Sequence, residues 1–573
     1  MVEGEMVLQL RAVVETHDKR DCEGISSFFI GMDWGYGKLP RLPLSEINLI
    51  YEFVLRHRDV IDEFEISILQ KLMEIYQEER TLEARQNLKT FLLYLRRCVN
   101  PTPAPKILPR EKPRSLVVIF RDAMRIRRFI HTNPRRLIKN KTGIDSQLRA
   151  NEHSIVVNEG AITRVDVSQL AANRPIEDYH SSAKCLSSNA CYFGVFDGHA
   201  GASCSRHVSA RLFDYMCSSV LEKHEIASVP IQKRLQWLFS SGDHRLPHFI
   251  KEQHQRNVMK YFERFKSNPD LTTVRKALQT AFVALDEDIS SGALPDAVGK
   301  VDRIGTNIAA SGSCAVVAHV RRRHLHVANI GDSAAVLGVN QHNSVTARQL
   351  SRPHCVDNDD EVQRIRAQHP ISESGSILKG GRLLGELYPL RAFGDVRYKW
   401  TENLQRVVLE PLGIPSPPGL LTPPYLTALP EVFYHRLTPN DKFLVLASDG
   451  LWEWLDPDTV VRLIHDHTLG TQTLSVYQPQ QGLTIKEVCN ELERRKQGES
   501  KKPIDDNSAT HVIRNALGGA SGGAALQYER LKESLQLPPG MARHYRDDIT
   551  VIVIHFKEEY LSSSTDSDDM CGF

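Results

Sequence analysis

The stretch Cys191-Tyr-Phe-Gly-Val-Phe196 runs directly into Asp197-Gly198-His199. Six residues rich in aromatic and β-branched side chains read as a short buried strand, and an Asp-Gly pair marks its end. The same arrangement recurs along the chain. Leu325-His-Val-Ala-Asn-Ile330 leads into Gly331-Asp332-Ser333, and Phe443-Leu-Val-Leu-Ala-Ser448 leads into Asp449-Gly450. Arg546-Asp547-Asp548 stands immediately before the apolar run Ile549-Thr-Val-Ile-Val-Ile554. A single Asp-Gly is an ordinary turn. Four apolar strands that each carry an Asp at one end predict a cluster of carboxylates on one rim of a sheet. Such carboxylates repel and take up protons unless a cation sits among them. An all-oxygen donor set suits a hard ion such as Mg²⁺ or Mn²⁺ rather than zinc. Gly198 and Gly450 would let the backbone come close to such an ion. The competing reading of these sites is a set of plain hairpin turns.

Around these strands the pattern alternates between strand and amphipathic helix. Val208, Leu212, Met216 and Val220 share one helical face, as do Val274, Leu278, Phe282, Leu285 and Ile289. Ser313–Val320 and Leu325–Ile330 flank Arg321-Arg322-Arg323 and read as antiparallel strands joined by a solvated turn.

The N-terminal part differs in texture. Residues 1–105 read as a helical segment of unknown role, with a helix start at Ser45-Glu46 and a stop at Pro101-Thr-Pro-Ala-Pro105. Residues 106–144 form a basic stretch. Between Asp122 and Asp145 it holds Arg125, Arg127, Arg128, Arg135, Arg136, Lys139 and Lys141 and no acid. That is the texture of either a basic linker or an internal transit peptide. If Met124 is a start site, the segment becomes N-terminal. Residues 559–573, which include Ser562-Ser-Ser-Thr-Asp-Ser-Asp-Asp569, read as a disordered tail.

Composition narrows the classes. The 573 residues leave room for three or four domains at about 150 residues each. A hydrophobic content of 41% with 25% charged residues is that of a folded globular chain. Lys plus Arg, 72, balances Asp plus Glu, 70, so no net field draws nucleic acid. No apolar run approaches a membrane span. The ten cysteines contain no C-x-x-C pair, which argues against a zinc ribbon and for reduced intracellular thiols.

Seven motifs occur in the order found in metal-dependent protein serine/threonine phosphatases of the 2C type. They are Asn173-Arg-Pro-Ile-Glu-Asp178, Val195-Phe-Asp-Gly-His-Ala-Gly201, Ser311-Gly-Ser-Cys-Ala315, Asn329-Ile-Gly-Asp-Ser333, Arg391-Ala-Phe-Gly-Asp395, Ala447-Ser-Asp-Gly450 and Arg546-Asp-Asp548. The resemblance spans residues 145–558. It is closest to the pyruvate dehydrogenase phosphatase branch, on Leu148-Arg-Ala-Asn-Glu-His-Ser154, Pro389-Leu-Arg-Ala-Phe-Gly-Asp-Val396 and Thr422-Pro-Pro-Tyr-Leu-Thr427. The long segment between Asp449 and Asp547 also resembles that branch.

This resemblance implies an α/β (α+β) fold, a central antiparallel β-sandwich flanked by α-helices (α-β-β-α), with the N-terminal helical segment as an addition. It implies two Mg²⁺ or Mn²⁺ ions, bridged by Asp197. Asp449 and Asp547 would complete one ion's protein ligands, and Glu177 with the Gly198 carbonyl would hold the other. Asp332 would support a weaker third ion with Asp449. A water activated between the ions would attack phosphorus, with His199 as general acid. The branch further implies phosphorylated pyruvate dehydrogenase E1α as substrate, docking on the E2 lipoyl domain with Ca²⁺, a regulatory subunit and the mitochondrial matrix. The alternatives are a cytosolic 2C-type phosphatase and an interaction protein acting through residues 1–105. The chain departs from the common pattern at Asn173, where many relatives carry a phosphate-gripping Arg, and Arg174 is the nearby substitute. Further departures are Cys314, Ala334 and Asp548.

Overall fold

The computed structural model describes residues 141–220, 233–240, 246–267, 273–341, 344–471, 484–499, 503–519, 523–537 and 541–563. The expectations for residues 1–140, the helical segment and nearly all of the basic stretch, lie outside these residues.

Two antiparallel sheets form the centre. The first has the order β1-β2-β12-β11-β8-β9, from β1 (His153–Glu159), β2 (Ile162–Leu170), β8 (Ala334–Gln341), β9 (Ser344–Gln349), β11 (Asp441–Ala447) and β12 (Ile549–Phe556). The second runs β10-β7-β6-β4-β3-β5, from β3 (Tyr179–Cys185), β4 (Cys191–His199), β5 (Leu235–Ser240), β6 (Gly312–Arg321), β7 (His324–Ile330) and β10 (Glu431–Arg436), and Phe393–Gly394 pairs with β6. The central strands are apolar on both faces because both faces are covered. Phe193 and Val195 of β4, Val316 and Ala318 of β6, Leu444 and Leu446 of β11, and Ile552 and Ile554 of β12 fill the space between the sheets. Their neighbours in sequence point the other way. Tyr192, Phe196 and Val317 meet the helices α2 (Ser203–Val220) and α4 (Val274–Ser291), with α3 (His248–Ser267) packed on α2. Val445, Val551 and Val553 meet α7 (Pro457–Thr468), α8 (Ser508–Gly518), α9 (Gly523–Leu535) and α1 (Lys141–Leu148). The result is the expected α-β-β-α stack, and α2 and α4 bury the faces read from their spacing. Each fully buried leucine at its centre, Leu446 for example, would cost about 2–5 kcal/mol on truncation to alanine.

The boundaries shift slightly. Helix α1 takes in residues 141–144, the end of the basic stretch. A helix Glu558–Ser562 with Leu561 buried occupies the start of the expected disordered tail, because Leu561 packs into the inter-sheet core. Arg322 sits at φ 55° in the tight turn between β6 and β7, as the triple-arginine reading requires. No helix among the described residues is long and apolar enough to cross a membrane.

Candidate metal centre

Period-two alternation carries Phe193 and Val195 on to Asp197, so this carboxylate leaves the inner face at the rim of the sandwich. The Asp-Gly pair here is not a turn. Strand β4 continues through it, with Asp197 opposite Cys314, Gly198 opposite Ser313 and His199 opposite Gly312. Asp332 follows the end of β7, Asp449 opens the four-residue helix α6 (Asp449–Trp452), and Asp547 precedes β12. Carboxylate oxygens of Asp197, Asp332 and Asp449 all lie within 4.8 Å of one another. The glycines are required by close approach: a Cβ on Gly198 would run into the Glu177 carbonyl, and one on Gly450 into the Asp548 carbonyl.

A buried polar plug fixes this rim. The Asp178 carboxylate accepts hydrogen bonds from Ser448 Oγ (2.7 Å) and Thr550 Oγ1 (2.7 Å), tying the ends of β11 and β12 together. Gln169 of β2 donates to the Asp178 carbonyl at 3.1 Å and to Thr550 Oγ1 at 3.0 Å. Beside the plug, Asp548 holds the loop that carries Glu177. Its Oδ1 accepts from the backbone N–H groups of Ala172 (2.5 Å) and Asn173 (2.8 Å), and its Oδ2 from Asn173 Nδ2 (3.1 Å) and Glu177 N–H (2.8 Å). Glu177 in turn accepts from Gly201 N–H at 2.8 Å. Two of the four departures from the common pattern, Asn173 and Asp548, are thus bonded to each other.

The electrostatics follow from crowding. Burial, then repulsion among neighbouring carboxylates, pushes Asp197 and Asp449 well above the usual carboxylate range. Burial raises Asp332 too, against a hydrogen bond from Cys314. Glu177 is raised by burial, partly countered by the Arg543 guanidinium. An oxygen-only set of mutually repelling carboxylates fits divalent cations, which would relieve the repulsion that protons otherwise relieve. On the other side of the rim, His199 Nε2 lies 2.5 Å from Asp395 Oδ2. Burial disfavours the imidazolium, but the Asp395 carboxylate outweighs it and the pKa of His199 lies above its ordinary value.

A protein phosphatase 2C family model matches residues 235–496. The protein named pyruvate dehydrogenase (acetyl-transferring)-phosphatase 1, mitochondrial, from Bos taurus is 38% identical over 513 residues, which are 81% of this chain and 93% of that protein. The chain belongs to the protein phosphatase 2C family. It is a metal-dependent protein serine/threonine phosphatase. The corresponding phosphatase 2, mitochondrial, from Homo sapiens is 39% identical over 73% of this chain and 84% of its own length. A solved serine-threonine phosphatase 2C from Toxoplasma gondii aligns with 71% of this chain and 99% of its own, at 16% identity and a TM-score of 0.35.

In this phosphatase the expected site residues fall as follows. Asp197, Asp332 and Asp449 converge, the field of Asp547 reaches Asp197, and that of Glu177 reaches His199. His199 flanks it. Arg174 is exposed, precedes the cis Pro175 and makes no hydrogen bond or ion pair among the described residues. Three contributors were not singled out from sequence: Asp178, Asp395 and Arg543. Asp395 was legible only as the last residue of a motif, and its link to His199 spans 196 positions. Arg543, on the turn Ala542–His544, forms an ion pair with Asp547 and carried no motif at all.

Proposed function

We propose that this phosphatase removes phosphate from serine on the E1α subunit of pyruvate dehydrogenase in the mitochondrial matrix, through a two-cation centre of Mg²⁺ or Mn²⁺. The observation that carries the chemistry is the convergence of Asp197, Asp332 and Asp449 within 4.8 Å. Asp197, Asp449 and Asp547 would hold one ion, and Asp197, Glu177 and the Gly198 carbonyl the other. Asp332, beside Asp449, would be a ligand for a weaker third. Bound divalent cations supply the acidity that makes water a nucleophile near neutral pH and the charge that offsets the phosphoryl oxygens. His199 protonates the departing serine oxygen, and Asp395 holds the ring in the orientation this needs. Asp548 keeps Glu177 in place through the loop of residues 172–177. The names of the relatives support the substrate and the compartment. Docking on the E2 lipoyl domain with Ca²⁺, and a regulatory subunit, belong to the same reading.

The test is phosphate release from kinase-phosphorylated E1 by the purified full chain with Mg²⁺ or Mn²⁺, read alongside recovery of E1 activity. Release should require the cation and vanish in Asp197→Asn. Hydrolysis of p-nitrophenyl phosphate without release from E1 would refute the substrate. Hydrolysis of neither, with the cation present, would refute the site.

A further inference from the structure

The carboxylate cluster draws cations but repels a phosphate monoester, which arrives as a dianion. A donor that fixes the non-bridging oxygens is therefore needed at the rim, and a planar guanidinium matches that geometry better than any other side chain. The position where many relatives carry that arginine is Asn173. Its side chain is not free for the task, since Nδ2 donates to Asp548 Oδ2 at 3.1 Å. Arg546 is buried and spent on the backbone carbonyls of Leu170, Ala171 and Asp547.

Arg543 differs from both. Among the described residues it is the cation that forms an ion pair with a member of the proposed ligand set, Asp547. Its charge also acts on Glu177 and Asp449. Its side chain nevertheless remains 46% exposed. The guanidinium is thus paired with a member of the proposed ligand set on a side chain that is still open to solvent.

We propose that Arg543, rather than Arg174, is the residue that grips the substrate phosphate. The inference rests on the phosphatase reading of the site. It replaces a side chain on the Glu177 loop with one supplied from the far end of the long 449–547 segment. Recognition then depends on the turn before β12 being formed.

The experiment compares Arg543→Ala, Arg543→Lys and Arg174→Ala with the wild-type full chain loaded with Mn²⁺. Inorganic phosphate is the probe, through product inhibition of p-nitrophenyl phosphate hydrolysis, and Mn²⁺ affinity is measured separately by calorimetry without substrate. Arg543→Ala should raise both the phosphate inhibition constant and KM by about 10- to 100-fold, the worth of a charge-assisted hydrogen-bond pair. Arg543→Lys should recover part of the loss, and Mn²⁺ affinity should not weaken, because a competing cation has been removed from Asp547. An inhibition constant within twofold of wild type overturns the proposal. So does weakened Mn²⁺ binding, which would make Arg543 a support of the cation centre, or a larger effect in Arg174→Ala. If the alanine variant misfolds, Arg543→Lys and Arg543→Gln carry the same comparison. A wild-type protein that hydrolyses no phosphate ester would defeat the phosphatase reading itself, which is a different result from an active enzyme with an unmoved inhibition constant.

Discussion

Replacing Asp548 with Asn restores the residue common in the family, yet in this chain it should be damaging. The carboxylate is 1% exposed and accepts four N–H donors, two on each oxygen. An amide keeps one acceptor. If its oxygen stays on Ala172 and Asn173 N–H, its NH₂ faces the Glu177 N–H and the Asn173 amide, donor against donor. Hydrogen bonds to a charged acceptor contribute about 1.5–3 kcal/mol each, so two lost bonds come to about 3–6 kcal/mol. Removing the charge also relieves repulsion on Asp178, which offsets part of this and leaves about 2–4 kcal/mol. With unfolding entropy of about 2 cal/mol/K per residue over about 400 residues, the melting temperature should fall by about 2–5 °C. Loosening the loop that presents Glu177 should also weaken Mn²⁺ binding by about 10-fold, the low end for a residue that orients a ligand. Calorimetric melting in chelator and Mn²⁺ titration measure the two effects separately. Because Asn173 is one of the donors, Asn173→Ala and Asp548→Asn should be coupled by about 1 kcal/mol or more in a double-mutant cycle. Melting within 1 °C of wild type together with unchanged Mn²⁺ affinity would refute the view that acceptor charge holds this loop.

Two further outcomes follow from named contacts. His199→Asn should lower kcat on a phosphoserine peptide by about 10²–10³-fold while p-nitrophenyl phosphate, whose leaving group needs no proton, loses under about 10-fold; equal losses on both would remove the general-acid role. Glu361 accepts from Arg391 Nε at 2.9 Å and Arg364 Nη2 at 2.8 Å, and although burial opposes ionisation the two guanidiniums hold its carboxyl at about 2 against an ordinary 4.5. A depressed folded-state pKa stabilises above the unfolded value and the gain is lost on acidification, so about 3 kcal/mol should disappear between pH 5 and pH 2. In Glu361→Gln that part of the acid limb should flatten, and an unchanged limb in chemical denaturation would contradict the pairing.

The sheets were legible because their strands are buried on both faces and announce themselves as apolar runs, and β12 starts with the run Ile549–Ile554 and extends it by two residues to Phe556. The carboxylates were legible because alternation delivers them to one rim. What Asp-Gly does locally was not. The pair that looks like a turn is a continuing strand at Asp197, where pairing with β6 supplies the missing hydrogen bonds, and a helix start at Asp449. Local chemistry permits both, and only the partner strand decides. The groups that tune the site were hidden for a related reason. Asp395 reaches His199 from a left-handed backbone at φ 49°, a conformation its neighbours in sequence do not dictate. Asn173 and Asp548 look like two independent losses from a motif, but 375 positions apart they form one hydrogen-bonded unit, so the second departure compensates the first. A substitution that frees the Glu177 loop of its arginine also requires a stronger acceptor to hold that loop, and it leaves the phosphate to be gripped from elsewhere. Arg543 is the cation that the fold brings there.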